Sequence, residues 1–267
     1  MMTLLSKLPS WIKDPLRNAV TSVQYHGNER YCPVCGKKSS HFRPFGVVPR
    51  EDAQCAHCGS LERHRLLCLF FQKKPNLLSG KTKMLHVAPE PCFESIFKKQ
   101  LGRSYLTADL FNPNAIVKMD ICDIQYPENS FDAIYCSHVL EHVPDDKQAM
   151  REFFRVLNTN GWAILTVPIT REKTFEDPSI VDPEERLKAF GQEDHVRCYG
   201  QDYVERLRDS GFYVEIITVD DLANSDELVR MGLKRGASGE IYFCTKQHSG
   251  EQGASPDGNS TALHCRQ

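Results

Sequence analysis

Four cysteines occur as two pairs with the spacing of metal ligands, CPVCG at 32–36 and CAHCG at 55–59. Each C-x2-C turn directs two thiolates toward one point, and the glycine after each pair permits a tight turn. Nineteen residues separate the pairs, a distance typical of a zinc site. Four sulfur ligands would close the tetrahedron and leave no position for a catalytic water. The sequence therefore predicts a structural zinc ribbon. Its ligands would be Cys32, Cys35, Cys55 and Cys58.

The role of this ribbon stays open at the level of sequence. It could staple a small subdomain that has too little core of its own, or it could help to hold RNA. Basic side chains lie close to it along the chain: Arg43, Arg50, Arg63, His64 and Arg65. These could form a solvated charged face, or they could dock an anionic substrate.

A second set of residues suited to proton transfer lies in SHVLEHVPDD at 137–146. His138 precedes Glu141 by three positions and His142 by four, so the three would share one face of a helical turn. The order H-x-x-E-H occurs in some metallopeptidases. Its place directly after a predicted strand of an α/β sheet disfavours a peptidase. We take His138 as a candidate catalytic residue, and His142 is left open between packing and function.

A third candidate lies in a charged insertion at 169–199, which is long for a connection between a strand and a helix. Insertions at such places commonly form lids. His195 beside Asp194 could act as a general base near neutral pH, and Arg197 could bind a carboxylate or phosphate of an acceptor. The alternative is a solvated loop whose charges pair with one another. We take His195 as the second candidate catalytic residue.

Alternating strand and helix patterns from residue 83 to 245 must position these side chains. The predicted strands are 83–88, 104–109, 115–119, 132–137, 161–168, 212–218 and 239–245. The predicted helices are 60–73, which Ser60 could cap, 91–101, 144–157 and 200–210, with Gly161 providing the turn after the helix at 144–157. Short apolar strands that alternate with helices predict a doubly wound, mostly parallel α/β sheet with helices on both faces.

The first of these strands runs into a turn without glycine, in KMLHVAPEPCFESIFKK at 83–99. The pyrophosphate of a dinucleotide must approach the backbone closely and therefore needs glycines. A nucleoside that carries an amino acid has no such need. Asp109, 21 positions after Ala88 and at the end of the next strand, can accept both hydroxyls of a ribose, although it could also cap a helix. Glu90 could accept an ammonium group, so the turn favours S-adenosylmethionine over NAD.

Three segments carry a family resemblance: DICDIQYPENSFD at 120–132, AIYCSHVLEHVPD after it, and REFFRVLNTNGWAILTVP. They resemble the class I S-adenosylmethionine-dependent methyltransferases, especially the methyltransferase-type-11 group. The resemblance covers 83–168 and extends to 245. With CGSLERHRLL and FGQEDHVRCYG on either side, the chain is also similar to a set of bacterial methyltransferases that carry an N-terminal zinc ribbon. The implied fold is a seven-stranded sheet with an antiparallel last strand.

The resemblance implies roles for particular residues. Asp109 would hold the ribose, Asp120 and Ile121 would bracket the adenine, and Ser137 and His138 would line the methionine moiety. The family usually has an acidic strand end followed by G-x-G-x-G where this chain has HVAPEP. Cofactor contacts at this turn are therefore assigned by position only, to His86, Ala88 and Glu90.

Composition limits the partners. The 267 residues include 33 Lys and Arg against 35 Asp and Glu, a formal net charge of −2 that provides no global attraction for nucleic acid. No apolar run approaches the ~20 residues that span a bilayer, and the N-terminus does not read as a signal peptide. We expect a cytoplasmic enzyme that uses S-adenosylmethionine and zinc and methylates a hydroxyl or amine of a small-molecule or glycan acceptor. RNA methylation, a nicotinamide oxidoreductase and a non-catalytic zinc-binding adaptor are the alternatives; the oligomeric state is left open.

The predicted organisation has five parts in chain order. They are an N-terminal helical segment at 1–29, the zinc ribbon at 30–60, a connecting helix and linker at 61–82, the methyltransferase domain at 83–245 with its lid insertion at 169–199, and a disordered tail at 246–267.

Overall fold

The computed structural model describes residues 19–46, 48–236 and 238–246. Of the predicted N-terminal helical segment, residues 19–24 are helical, and the part before residue 19 lies outside the described residues. The predicted tail also lies outside them, apart from Lys246.

The cysteine-rich module at the N-terminal side is built from two short antiparallel ribbons. They are β1 (Arg30–Tyr31) with β2 (Lys38–Ser39), and β3 (Arg43–Phe45) with β4 (Arg50–Gln54). The helix α1 (Glu62–Lys73) follows the module directly.

A seven-stranded sheet forms the body of the protein. Its strands are β5 (Met84–Val87), β6 (Tyr105–Asp109), β7 (Val117–Lys118), β8 (Phe131–Ser137), β9 (Leu157–Thr166), β13 (Tyr213–Ile217) and β14 (Ile241–Thr245). They lie in the order β13-β14-β9-β8-β5-β6-β7, and only β14 is antiparallel to its neighbours. The predicted fold class, including the antiparallel last strand, is confirmed.

Helices cover both faces of this sheet. Besides α1 they are α2 (Pro91–Leu101), α3 (Asp146–Val156), α5 (Tyr203–Asp209), α6 (Val219–Leu222) and α7 (Ser225–Arg230). The helix α4 (Pro183–Phe190) lies in the insertion. One buried apolar cluster joins the sheet to α3 and α5, through Met150 and Leu207 for example. A second cluster on the other face joins it to α1 and α2, through Phe70 and Phe97. The helix after the cysteine module is therefore part of the main core.

Two local predictions are corrected. Ser60 does not cap α1, because the N-cap is Leu61. The buried Ser60 hydroxyl instead forms hydrogen bonds of 3.2 Å with the sulfurs of Cys32 and Cys58. Gly161 does not form a turn before a strand, because β9 already begins at Leu157. The register shifts there, from Phe131↔Leu157 to Ala133↔Trp162, so the expected turn is a bulge inside the strand.

The predicted lid insertion folds into a small structure of its own. β10 (Ile169–Arg171), β11 (Phe175–Glu176) and β12 (Arg197–Gly200) form a three-stranded sheet in the order β10-β12-β11. The helix α4 lies between β11 and β12 in the chain. In the described part of the chain, no helix has the length and apolar character that crossing a bilayer requires.

Candidate functional site

The four predicted zinc ligands converge. Cys32 Sγ lies 3.7 Å from Cys58 Sγ, and Cys35 Sγ lies 3.9 Å from Cys55 Sγ. All four sulfurs lie within 4.8 Å of one another. A tetrahedron with Zn–S bonds of about 2.3 Å has edges of about 3.8 Å, so the donor set and its spacing fit zinc.

The buried side chain of Arg65 fastens this module to the sheet domain. Its guanidinium donates to the carbonyl oxygens of Ala53 (2.9 Å) and Ser60 (3.1 Å) in the module. It also donates to those of Met231 (2.6 Å) and Gly232 (3.1 Å) in the sheet domain. The planar fork of arginine can reach several carbonyls at once, and the module is thereby held at a fixed place on the sheet domain.

The predicted ribose and adenine residues lie at adjacent strand ends. Asp109 ends β6, and its Oδ1 accepts hydrogen bonds from the backbone N–H groups of Phe111 (2.7 Å) and Asn112 (2.8 Å). Asp120 follows the neighbouring β7, and Ile121 beside it is buried. The structure thus brings the two aspartates to the same edge of the sheet, where parallel α/β sheets bind their ligands.

The glycine-free turn is achieved by Ala88. Its φ is 48°, in the left-handed region that glycine usually occupies, and its N–H donates to Ala108 O at 2.8 Å. For a residue with a Cβ this conformation costs about 1–2 kcal/mol. Alanine, with only a Cβ, thus takes the place of glycine in the turn. The helix α2 then starts at Pro91, and proline favours the start of a helix because its fixed φ suits the first helical position.

The carboxylate of Glu90 is enclosed by protein groups. Oε1 accepts hydrogen bonds from Arg63 Nη2 (2.9 Å) and His64 Nε2 (2.5 Å), and Oε2 accepts one from the Tyr135 hydroxyl (2.6 Å). His64 Nδ1 accepts from the Leu61 N–H, which leaves its proton on Nε2. Burial acts to raise the pKa of Glu90, but the hydrogen bond from His64 and the nearby charges lower it to about 2. Glu90 therefore joins the turn after β5 to α1.

His86 lies beneath this turn and is fully buried. Its Nδ1 lies 2.7 Å from the Tyr105 hydroxyl, and its Nε2 lies 3.4 Å from the Glu90 N–H. Burial lowers the pKa of His86 to about 4. The His86 ring is closed off from solvent and supports the turn from inside, and a cofactor contact at this position stays a prediction.

The end of β8 carries unsatisfied polar groups. Ser137 is 5% exposed, and its Oγ has no hydrogen-bond partner among the described residues. His138 follows with φ 55°, and its Nδ1 lies 3.3 Å from Glu141 Oε1. Glu141 is 1% exposed, and its Oε2 has no partner in the described part of the chain. Buried polar atoms without partners are rare and point to a missing ligand or water.

Two cavities meet at His138. One, of about 580 Å³, lies between α1, the ends of β8 and β9, and the segment before β14. The other, of about 1240 Å³, lies between the β3–β4 hairpin of the cysteine module and the insertion. Both are lined by His138 and by Arg50, Arg63, Pro168 and Thr170. The cavities thus adjoin the predicted methionine side of the site, and neither is lined by Asp109 or Asp120.

His195 reaches the larger cavity from the insertion. It is 6% exposed, and its ring lies edge-on to His142 with 4.6 Å between centroids. Burial lowers the pKa of His195, and the charge of His142 lowers it further. His142 is partly exposed, with its Nδ1 3.2 Å from Asp194 Oδ2.

The role predicted for Arg197 is corrected. The side chain is 3% exposed and donates to the carbonyl oxygens of Leu140 (2.7 Å), Val143 (2.5 Å) and Pro144 (2.8 Å). Its Nε also donates to Glu176 Oε2 at 2.9 Å. With these donors occupied, Arg197 holds the turn after β8 and does not bind an acceptor.

Sequence reasoning missed the part that Tyr135 and His64 play at the Glu90 turn. Tyr135 lies inside an apolar strand pattern, and His64 lies in a helix that precedes the sheet. Nothing in the spacing of the sequence links these two residues to Glu90, since the link is made only by packing α1 against the sheet.

Comparison with known proteins supports the fold-based interpretation. Residues 87–165 match the family model described as "Methyltransferase domain" of the methyltransferase-type-11 kind. Ajmaline N-methyltransferase of Rauvolfia serpentina is 30% identical over 118 residues, 43% of this chain and 40% of that protein. Phosphoethanolamine N-methyltransferase 1 of Arabidopsis thaliana is 30% identical over 123 residues, 45% of this chain and 23% of that protein.

Among solved structures, the 1,6-didemethyltoxoflavin-N1-methyltransferase of Burkholderia thailandensis, with bound 1,6-didemethyltoxoflavin and S-adenosylhomocysteine, is 13% identical. The match covers 70% of this chain and 79% of that one, with a TM-score of 0.48. The chain spans less than half the length of the two curated relatives named above. Residues 87–165 are therefore similar to a methyltransferase domain, and the similarity to the two curated relatives is limited to 118 and 123 residues.

Proposed function

We propose that this protein transfers a methyl group from S-adenosylmethionine to a hydroxyl or amine of a small-molecule or glycan acceptor. One observation carries the proposal: two cavities meet at His138, directly beyond the end of β8 and within the matched methyltransferase domain. A cofactor along the strand ends would present its methyl group toward a space that is large enough for a metabolite.

The residues at the strand ends fit the cofactor. Asp109 Oδ1 accepts two backbone N–H groups, which supports the proposal that this fixed carboxylate accepts the ribose hydroxyls. Asp120 and Ile121 would bracket the adenine. The unpartnered Ser137 Oγ is available to the methionine moiety. When bound, S-adenosylmethionine supplies an electrophilic methyl group on a sulfonium.

The turn would take part mainly through its backbone and its charge. Ala88 in its left-handed conformation bends the chain below the cofactor. Glu90 already accepts hydrogen bonds from Arg63, His64 and Tyr135, so an ammonium group would share this carboxylate with them.

Methyl transfer mainly requires alignment, together with removal of a proton from the acceptor. The imidazoles of His138 and His195 line the larger cavity, and we propose them as the groups that receive this proton. Glu141 Oε1, 3.3 Å from His138 Nδ1, would fix the orientation of that ring.

The charges of the cavities favour a small or glycan-like acceptor over RNA. Arg50 and Arg63 line both cavities, but each is already paired. Arg50 Nε lies 3.1 Å from Glu62 Oε1, and Arg63 Nη2 lies 2.9 Å from Glu90 Oε1. Binding to RNA phosphates needs cations that are free to replace counterions, and pairing reduces this capacity.

We also propose that the four-cysteine cluster holds a structural zinc ion, since its sulfur separations suit a tetrahedron. Such a cluster needs reduced thiols, which supports a cytoplasmic location.

Calorimetry of the full chain with S-adenosylmethionine and with NADH tests the cofactor. We expect binding of the sulfonium compound alone. A radiolabelled methyl-transfer screen against pools of metabolites, glycans and RNA then tests the acceptor. Binding of NADH alone, or label appearing only in RNA, would contradict the proposal; binding of neither cofactor would favour the adaptor alternative.

A further inference from the structure

We infer that Glu141, His142 and His195 form a second metal site, suited to a divalent first-row transition metal, beside the larger cavity. The three side chains offer one carboxylate oxygen and two imidazole nitrogens, and these ligand atoms all lie within 4.8 Å of one another. The site does not depend on the identity of the cofactor or of the acceptor.

An unpartnered carboxylate oxygen is the first independent sign of a ligand here. Glu141 is 1% exposed, and its Oε1 lies 3.3 Å from His138 Nδ1. Oε2 is buried and has no hydrogen-bond partner in the described ranges. Leaving a buried carboxylate oxygen unpaired is costly, whereas a cation bound between Glu141 and the two histidines would satisfy it.

The two chain segments that supply the ligands are locked together without a metal. Val196, directly before β12, donates its N–H to Glu141 O at 2.9 Å, which joins this part of the insertion to the turn that carries Glu141. Arg197 then binds the carbonyl oxygens of Leu140, Val143 and Pro144 on both sides of the same turn. Such preorganisation lowers the cost of assembling a metal site.

The donor types select the kind of metal. Imidazole suits zinc, iron, copper and nickel, whereas magnesium and calcium prefer sites built from oxygen atoms alone. Two histidines and one carboxylate leave coordination positions open, as catalytic metals require. Asp194 Oδ2, 3.2 Å from His142 Nδ1, is placed like the carboxylates that orient metal-bound histidines.

The location gives the metal a use. His195 lines the cavity, so an open coordination position would face the space proposed for the acceptor. A metal there would bind and polarise an acceptor oxygen. His195 would then be a ligand, and His138, whose side chain is 32% exposed, would remain as the imidazole that receives the proton.

Cobalt(II) is the probe for this site, because its visible spectrum distinguishes sulfur from nitrogen and oxygen ligands. The full chain, with zinc already bound at the cysteine cluster, is titrated with Co²⁺. We expect one further equivalent with weak bands that lack thiolate charge-transfer intensity. Glu141→Gln and His142→Gln should weaken this binding at least about tenfold, while His41→Gln, a change in the cysteine module, should leave it unchanged.

His142 is one-third exposed, so His142→Gln decides the matter if Glu141→Gln does not fold, as checked by circular dichroism. Absence of a second equivalent in the wild type, or equal affinity in wild type and His142→Gln, would overturn the inference. Calorimetry with S-adenosylmethionine on the same samples keeps the two proposals apart. If the wild type binds Co²⁺ but not S-adenosylmethionine, the result would count against the methyltransferase proposal alone.

Discussion

Two clusters of potential metal ligands in this molecule each bring together side chains from two chain segments, but they differ in how completely they would surround a metal. The cysteine cluster takes two ligands from each of two knuckles, and it can surround a metal completely. The cluster of Glu141, His142 and His195 takes two ligands from one turn and one from the insertion. It has fewer ligands and borders a cavity. A closed set of four suits structure, and an open set of three beside a cavity suits chemistry.

A buried arginine holds each cluster in place. Arg65 donates to backbone carbonyls of the cysteine module and of the 231–232 segment. Arg197 donates to backbone carbonyls of the turn at 140–144. Both arginines use their side chains to connect distant parts of the backbone, so neither is available for a substrate. An arginine near a site in sequence is therefore weak evidence for anion binding.

Removing zinc from the closed cluster should have the largest effect. Structural zinc contributes on the order of 10 kcal/mol to folding in comparable small modules, and α1 links this module to the main core. We expect a strong chelator, or Cys55→Ser, to unfold the module and to lower the melting temperature of the whole chain. Cys122→Ser, which lies outside both clusters, is the control. A melting curve that does not respond to loss of zinc would contradict a structural role.

The arginine pair should give the next largest effects, and these should differ in kind. Arg65→Met leaves several buried carbonyls unpaired and should cost about 3 kcal/mol of unfolding free energy, with Co²⁺ binding at the open cluster retained. Arg197→Met releases the turn that carries two of the open-cluster ligands, so it should also weaken Co²⁺ binding at least about tenfold. Urea unfolding and cobalt titration measure the two effects, with Arg103→Met as the control. Identical cobalt affinities in both variants would contradict the claim that Arg197, unlike Arg65, holds the ligands of the open cluster in place.

Glu90 should give a smaller effect that depends on pH. Its pKa in the folded protein is about 2, below the ordinary value of 4.5, so it stabilises the fold above pH 4.5. This stabilisation is lost as the pH falls from 4.5 toward 2, because the carboxylate becomes protonated. Glu90→Gln should therefore flatten the pH dependence of the unfolding free energy in that window, by at most about 3 kcal/mol.

Urea titrations from about pH 6, where Glu90 is ionised, down to about pH 3, inside the window, test this expectation. Glu94→Gln on the same helix is the matched control. The partners of Glu90 are Arg63, His64 and Tyr135, and an unchanged acid limb in Glu90→Gln would mean that these contacts do not stabilise the ionised form.

Sequence reasoning succeeded where a local pattern carries the information. The cysteine spacing predicted the closed cluster, and strand and helix periodicity predicted the sheet and α2 to its bounds. It failed where long-range packing decides. The burial of His86 follows from packing between Tyr105 and Tyr135, and the closeness of His195 to Glu141 follows from the path of the insertion. The H-x-x-E-H pattern singled out His138, whereas the converging set uses His195 in its place.

Substitution of Asp109 should separate the cofactor edge from the open cluster. Asp109 stands at the end of β6 and lines neither cavity. Because it is proposed to hold the ribose, Asp109→Ala should weaken binding of S-adenosylmethionine by about 1–3 kcal/mol, the cost of losing a buried polar partner. It should leave Co²⁺ affinity unchanged, and His142→Gln should do the reverse. Calorimetry and cobalt titration of both variants, with Asp226→Ala as the control, complete the comparison. If Asp109→Ala and Asp120→Ala both kept full cofactor affinity, the cofactor would have to lie elsewhere, and the cavities at His138 would then become the place to look for it.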